Sequence, residues 1–281
     1  MNISVVIPCY QSEETLRVAV DSAAKALEVL VVDDASPGGC ADLVRSWNWP
    51  NVRVLVHPKN LGLGAARNTG SRAASGDWIA YLDADDAFEP QWHERLTTFL
   101  VQAPEATWAY HPVREWDGQH LGAIRFGDQP RQISDLVLKR PAIAPSACLL
   151  RADIARENPF DTNQRLQGTE DLELWMRLWA QGLRPIRWTD EPFTRYRINH
   201  GMSAALESHS IKIRLRWAQF VQQGWIPEAV LKHAEGELMR QKARSHHKAG
   251  RFAEAQKAYW AAGFTYKNGI LAALATLKIR I

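Results

Sequence analysis

"DWIAYLDADDAFEP", residues 77–90, runs an apolar segment, Trp78 to Leu82, straight into Asp83, Asp85 and Asp86. The apolar run reads as a buried strand, and the acids read as the turn that follows it. Carboxylates this close repel one another, and each costs free energy to desolvate. Alternate residues at a strand end point to the same side, so Asp83 and Asp85 face one ligand. A divalent cation relieves the repulsion, and Mg2+ or Mn2+ binds through one or two carboxylates plus substrate phosphates. The competing reading is a solvated acidic turn that caps the helix after Pro90. A calcium loop counted from Asp83 to Glu94 is excluded, because Phe88 stands where the sharp turn needs glycine and Pro90 follows.

Working outward, the same pattern recurs upstream. "ISVVI" (3–7), "EVLVVDD" (28–34) and "VRVLVH" (52–57) are three further buried strands. Between them lie segments with helical spacing or small residues, 12–25, 41–47 and 64–76. The alternation β-α-β-α-β-α-β with fully apolar strands predicts an α/β fold, a mostly parallel sheet with helices on both faces. Ligands of such sheets bind beyond the carboxyl ends of the strands. Here those ends carry Pro8 and Tyr10, Asp33 and Asp34, and Asp83 and Asp85, so three strands deliver polar groups to one edge.

Downstream, a helix is expected from Pro90 to about Val101, and a hairpin over 106–126 turning on Asp117-Gly118. A strand is expected over 142–150, an amphipathic helix over 170–181, a strand-like piece over 183–188 and a polar loop at "RYRINHGMS" (195–203). From about residue 208 the pattern is wholly helical. Residues 248–264 have the look of one tetratricopeptide-like unit, and a single unit is no array.

Three other motifs carry chemistry beside a structural alternative. In "NLGLGAARNTG" (60–70), Gly62 and Gly64 permit backbone approach to a phosphate near a helix N-terminus. Arg67 one turn later can pair with a diphosphate. The alternative is tight helix packing with Arg67 salt-bridged to a strand-end aspartate. Asp34 can accept from a base or ribose, or can start the "DASPGG" turn. Thr169-Glu170-Asp171 opens a helix, where Thr suits the N-cap and acids suit the first turn. A carboxylate there can equally project into a cleft as a general base.

Charge is unevenly placed. Residues 1–204 hold 21 Lys and Arg against 26 Asp and Glu, and residues 205–281 hold 13 against 5. We therefore expect two regions, 1–204 and a basic helical extension over 205–281. The net charge of +3 implies no nucleic-acid partner. Three cysteines without framework spacing fit a reducing compartment. The N-terminus lacks the pattern of a signal peptide, and no window is apolar enough for a membrane span. The expected location is cytoplasmic, with a peripheral position at the inner membrane face. "GILAALATLKIRI" (269–281) places Ile270, Leu271, Leu274, Leu277 and Ile281 on one helical face, which suits an interfacial helix on an anionic membrane surface; the alternative is that this face packs on the tail's own helices and the charge is only solvated.

Taken together, "VVIPCYQSEETL", "LVVDDASPGG", "NLGLGAARNTG", "WIAYLDADD" and "EDLELWMRLWAQG" resemble the family 2 glycosyltransferases, in an order and spacing that cover residues 3 to about 200. The resemblance implies a GT-A fold, a nucleotide-sugar donor, usually UDP-linked, a divalent Mn2+ or Mg2+ ion, and inversion by one direct displacement. It implies that Pro8 and Tyr10 lie at the nucleotide base, with Asp34 on base or ribose and Asp33 beside it. It places Arg67 near the diphosphate, Asp83 toward the ribose and Asp85 on the metal. Asp171 is implied as the base that deprotonates an acceptor hydroxyl. Arg197 and His200 match a loop that closes over the diphosphate, with His200 as a metal ligand. Gln11 departs from the asparagine common after the tyrosine. The implied acceptor is a glycan or lipid-linked molecule of cell-surface polysaccharide, lipopolysaccharide or glycolipid assembly.

Two other classes compete. A catalytically silent glycosyltransferase-like scaffold would use the tail to hold a partner, and intact Asp85 and Asp171 argue against it. A dinucleotide-dependent oxidoreductase would need a third glycine where Arg67 stands.

Overall fold

The computed structural model describes residues 1–125, 128–138, 143–198, 206–263 and 266–279. A seven-stranded sheet has the order β10-β6-β9-β4-β1-β2-β3. Its parallel half consists of β3 (Val52–Val56), β2 (Glu28–Asp33), β1 (Ile3–Cys9) and β4 (Trp78–Tyr81), as the apolar runs predict. β9 (Cys148–Arg151) enters antiparallel between β4 and β6 (Trp108–Tyr110), and β10 (Ile186–Arg187) completes the edge. The register pairs Cys9 with Asp33 and Asp33 with Val56, so the carboxyl ends of β1, β2 and β3 finish level.

A second, four-stranded sheet has the order β5-β11-β7-β8. The expected hairpin is β7 (Val113–Trp116) with β8 (Leu121–Arg125), turning through Gly118 at φ 104°, while β6 leaves it for the large sheet. The "RYRINHGMS" segment differs from the expected loop. Its first residues belong to β11 (Thr194–Arg197), which pairs with β5 (Ala87–Phe88) and β7.

Helix α1 (Leu16–Ser22) is shorter than expected, because Ser12–Thr15 forms a turn with Thr15 N–H donating to Ser12 O. The short helix expected over 41–47 is α2 (Cys40–Ser46). Helix α3 (Leu63–Ala73) lies flat on β1, and a Cβ on Gly70 would come within 2.3 Å of Val6 Cγ1. Gly64 packs as closely, since its Cβ would meet Asp161 O at 2.3 Å. Asn68 clamps the same loop, donating to Phe160 O and accepting from Phe160 N–H at 2.8 and 2.7 Å. The helix after Pro90 is α4 (Trp92–Gln102), and the next two are the short α5 (Asp135–Leu138) and α6 (Ala152–Glu157). Helix α7 (Glu170–Ala180) buries Leu174, Trp175 and Leu178, and Trp175 stacks on Trp108 of β6 at 5.2 Å. That stripe sets the direction of the helix and leaves its first turn at the sheet edge.

Glu28 shows how the edge opposite the site is secured. It is buried and accepts from Ser4 Oγ, Ser75 Oγ and Arg53 Nη1 at 2.8, 2.7 and 2.8 Å, and from Ser75 N–H. Burial opposes its charge, but the Ser75 bonds, then Arg53 and Ser4, outweigh burial and pull the carboxyl down to about 2. The folded value lies below the unfolded one, so this stabilisation is present above the ordinary glutamate value and lost as pH falls through about 2. Glu28→Gln should cost about 2–3 kcal/mol at neutral pH. Urea melts at neutral pH and at about pH 3 should show the gap between the two proteins narrowing in acid. A gap that stays constant would contradict this account.

The chain divides into two compact units, Met1–Lys212 and Ile213–Ile281, with the division inside α8 (Leu206–Gln222). Composition changes at about residue 205, whereas the unit extends to Lys212, whose Nζ donates to Gln167 O at 3.1 Å. In the second unit α9 (Glu228–Lys248), α10 (Phe252–Ala261) and α11 (Tyr266–Thr276) enclose Ala243, Ala255, Ala258, Tyr259, Ala272 and Ala275. Buried His247 contacts the Tyr259 hydroxyl and Ile279 O. Leu271 packs on this core, but Ile270 and Leu277 are exposed, so the expected single apolar face is divided. Ile281 lies outside the described residues. Among the described residues no helix is long and apolar enough to cross a membrane.

Candidate active site

A cavity of about 420 Å3 opens at the carboxyl ends of β1, β2 and β4. Pro8, Tyr10, Asp34, Asp83, Asp85, Asp86, Gln167, Tyr196 and Arg197 are among its walls. Six expected site residues thus meet there: Pro8, Tyr10, Asp34, Asp83, Asp85 and Arg197. Arg67 and Asp171 are not among its lining residues. His200 lies outside the described residues.

Tyr10 is half-exposed at the rim. The next residue, Gln11, sits at φ 52° and donates its N–H to Ser36 Oγ at 3.0 Å. This left-handed position costs most side chains about 1–2 kcal/mol and suits asparagine better than glutamine.

Asp34 is buried and heavily engaged. Its Oδ1 accepts from Leu61 N–H at 2.8 Å and from His57 Nδ1 at 2.6 Å, and its Oδ2 accepts from Gly62 N–H at 2.8 Å. Gly62 meets it at φ 93°, a conformation glycine adopts without strain. His57 Nε2 in turn lies 3.0 Å from Thr69 Oγ1 on α3. Asp34 therefore shapes the 60–64 loop and, as part of the cavity lining, has one Oδ2 lone pair left over. Asp33 caps its own turn, accepting from Ser36 and Ala41 N–H groups at 2.9 and 3.1 Å.

The acidic turn is held from three sides. Asp83 N–H donates to Ser146 Oγ at 3.0 Å. Asp83 Oδ1 accepts from Arg67 Nη2 at 2.6 Å. Asp86, 2% exposed, takes the N–H of Arg197 on Oδ1 at 2.7 Å, and its Oδ2 is buried without a hydrogen-bond partner. Burial, then the charges of Asp83 and Asp85, push the Asp86 carboxyl well above the carboxylate range. Asp85 is half-buried in the cavity wall.

These hard oxygen donors, crowded and partly unsatisfied, fit a small divalent cation such as Mn2+ or Mg2+. Asp85 would hold it. Among the described residues no group of three or more His, Cys, Asp or Glu is arranged to hold a metal ion.

Arg67 is engaged by protein carboxylates. It is 1% exposed and outside the cavity wall, with Nη1 donating to Glu170 Oε1 at 2.9 Å and Nη2 to Asp83. The strand-end salt bridge raised as the alternative is the geometry found. Burial opposes its charge, but Asp83 and Glu170 outweigh burial and keep it protonated. Glu170 Oε2 also accepts from Gly168 N–H at 2.5 Å. Thr169 turns its hydroxyl to Leu166 O at 2.7 Å.

Asp171 follows in the first turn of α7 and accepts from Leu172 N–H at 2.7 Å. Burial, then the charge of Glu170, pushes its carboxyl up to about 7, against the opposing charge of Arg67. Tyr196 faces the same acids. Burial, then Asp86, Asp83, Asp171 and Asp85, keeps its hydroxyl protonated. Arg197 lies over Trp116 at 5.1 Å and against Gly118, where a Cβ would come within 2.8 Å of its Nη2.

Sequence reasoning missed His57, Ser146, Tyr196 and the role of Glu170. Only His57 left a signal, a polar residue ending a strand at the same sheet edge as Asp34. All three cysteines are free and buried, and burial raises the Cys9 and Cys148 thiols, so neither is poised as a nucleophile.

Residues 4–157 match the model of the family "Glycosyl transferase family 2". The succinoglycan biosynthesis protein ExoO of Rhizobium meliloti (strain 1021) is 33% identical over 190 residues, which cover 62% of this chain and 52% of that protein. Across four curated relatives the chain spans from 30% to 67% of their lengths. Among solved structures, S. aureus TarS 1–349 in complex with UDP-GlcNAc superposes with a TM-score of 0.65 at 17% identity, covering 99% of this chain and 88% of that one. The mannosyltransferase PcManGT from Pyrobaculum calidifontis, in complex with GDP-Man and Mn2+, gives 0.64 at 21% identity, covering 98% and 80%. At these identities the structural likeness shows the fold, which is GT-A-like.

Proposed function

The chain belongs to glycosyl transferase family 2, and from that premise we propose that it is an inverting glycosyltransferase. It moves a sugar from a nucleoside-diphosphate donor, UDP-linked, to a hydroxyl of a glycan or lipid-linked acceptor in cell-surface polysaccharide, lipopolysaccharide or glycolipid assembly. The observation that carries this reading is the convergence of three strand ends on one cavity, with Asp83, Asp85 and Asp86 in its wall and the half-buried Asp171 close enough to feel the charge of Asp83.

Each wall has a task in this reading. Tyr10 at the rim stacks on the base, and Pro8 lines the slot beneath it. The remaining Oδ2 lone pair of Asp34 accepts an N–H from the base, which uracil supplies at N3. Asp83, fixed by Arg67 and Ser146, accepts from ribose hydroxyls. Arg197, stacked on Trp116, presents positive charge to the diphosphate. The divalent ion that Asp85 would hold stabilises charge developing on the leaving diphosphate when bound. His200 is proposed as its second protein ligand.

In the transfer step the acceptor oxygen forms a bond to the anomeric carbon as the bond from that carbon to the diphosphate oxygen breaks. The acceptor proton passes to the Asp171 carboxylate. One displacement gives inversion. The likeness to ExoO, a succinoglycan biosynthesis protein, supports a role in polysaccharide assembly, and the Mn2+ in the PcManGT complex supports the metal.

Calorimetry tests the donor class. UDP should bind with Mn2+ and much more weakly once the metal is chelated, while NAD and NADP should give no heat. Binding of a dinucleotide in place of UDP, or UDP binding indifferent to chelation, would overturn the proposal.

A further inference from the structure

Arg67 and Glu170 are 103 residues apart in sequence and form a buried ion pair at 2.9 Å, each almost wholly shielded from solvent. Arg67 reaches the other way to Asp83 at 2.6 Å. One guanidinium therefore connects the acidic turn in the cavity wall to the first turn of α7, and Asp171 is the next residue. Desolvating such a cluster costs several kcal/mol per ion, so a purely structural role is a poor bargain where apolar packing would serve. Phe160, whose ring lies 5.3 Å from the Arg67 guanidinium, is clamped to the same helix through Asn68. The fork of arginine fixes two carboxylates at once, which a point charge does less well.

We propose that Arg67 and Glu170 are positioning residues for the transfer step, a rigid bridge that sets the distance and angle between the donor held at Asp83 and the base on α7. The inference rests on the reading of Asp171 as that base. It gives Arg67 a task distinct from gripping the diphosphate, because its two terminal nitrogens are spent on protein carboxylates. Displacing a reacting group by about 1 Å can cost ~100-fold in rate, so a bridge of this kind acts on turnover more than on donor affinity. It also acts electrostatically. The charged or titratable groups acting on Asp171 are Glu170 beside it, Arg67 on α3, Asp83 beyond β4, Tyr196 on β11 and Cys148 on β9. Glu170 is the nearest negative charge among them in sequence, and removing it eases the ionisation of Asp171.

The test compares Glu170→Gln, Arg67→Lys and Asp171→Asn in the full chain. UDP affinity with Mn2+, single-turnover transfer at saturating donor, and the pH dependence of that rate are measured, with melting temperatures alongside. Glu170→Gln and Arg67→Lys should each keep UDP affinity within ~3-fold and lose ~10–100-fold in rate. In Glu170→Gln the acid limb of the pH profile should move to lower pH by roughly half a unit to one unit. If Glu170→Gln does not fold, Arg67→Lys carries the test alone. Wild-type rates in whichever of the two folds, or a loss of UDP affinity in Arg67→Lys as large as its loss of rate, would overturn the bridge. Asp171→Asn separates the two levels. An inactive Asp171→Asn beside a fully active Glu170→Gln sinks the bridge and leaves the base assignment standing, whereas an active Asp171→Asn sinks the base.

Discussion

Asp85→Ala is expected to abolish metal-dependent UDP binding and transfer while leaving the fold intact. The half-buried side chain lies in the cavity wall two residues beyond Asp83 and next to buried Asp86, whose carboxyl its charge helps to push upward. Truncation removes a like charge from a crowded turn, so the melting temperature should hold or rise slightly. The turn keeps its frame, because Asp83 N–H still meets Ser146, Asp86 N–H still meets Asp83 O, and Asp86 still takes the Arg197 N–H. Binding should fare differently. Small hard cations rely on one or two protein carboxylates plus the diphosphate, so losing the principal one removes most of the protein's share. We expect Mn2+-dependent UDP affinity to fall ~100-fold or more, about 3 kcal/mol, and transfer to become undetectable. Calorimetry with and without Mn2+ reads this directly. Wild-type-like affinity in Asp85→Ala would remove Asp85 from the metal and return the acidic turn to a structural role.

The parallel half of the large sheet was legible because strands buried on both faces must be continuously apolar, and β1, β2 and β4 are. Their level carboxyl ends then made the cavity walls readable from Pro8, Tyr10, Asp34, Asp83 and Asp85. The second sheet was not legible. β5 has two residues and β11 four, and β11 pairs with segments more than 75 residues upstream, so no local pattern announces it. Arg197 was accordingly placed on a loop, whereas a strand holds it over Trp116. The fate of Arg67 was open for a related reason. Its sequence context permits a phosphate or a carboxylate partner, and only the packing of α3 against the Phe160–Asp161 loop brings Glu170 into reach. Thr169 misled in the opposite sense, since the residue type favoured at an N-cap turned its hydroxyl back to Leu166 O.

Asp171→Asn is expected to lower the transfer rate by ~100-fold or more with donor affinity nearly unchanged. The substitution preserves shape and a carbonyl acceptor for the Leu172 N–H, but it cannot take a proton from the acceptor hydroxyl. Burial is the main reason this carboxyl is pushed up to about 7, with Glu170 adding to it and Arg67 opposing it. An ordinary aspartate would be ionised across the working range and would be a weak base, and burial strengthens it while keeping part of it ionised at neutral pH. The sign of the pH dependence follows. Below about 7 the carboxyl is protonated and cannot act, so the wild-type rate at saturating donor should climb tenfold per pH unit up to that point and level off above it. The residual rate of Asp171→Asn should lack that limb. Stability separates this role from helix capping. Losing a cap costs about 0.5–2 kcal/mol, whereas replacing a carboxyl whose charged form the fold disfavours with a neutral isostere should leave the protein as stable or more stable at neutral pH. A variant that keeps most of its turnover, or that loses donor binding and stability together, would return Asp171 to the helix terminus.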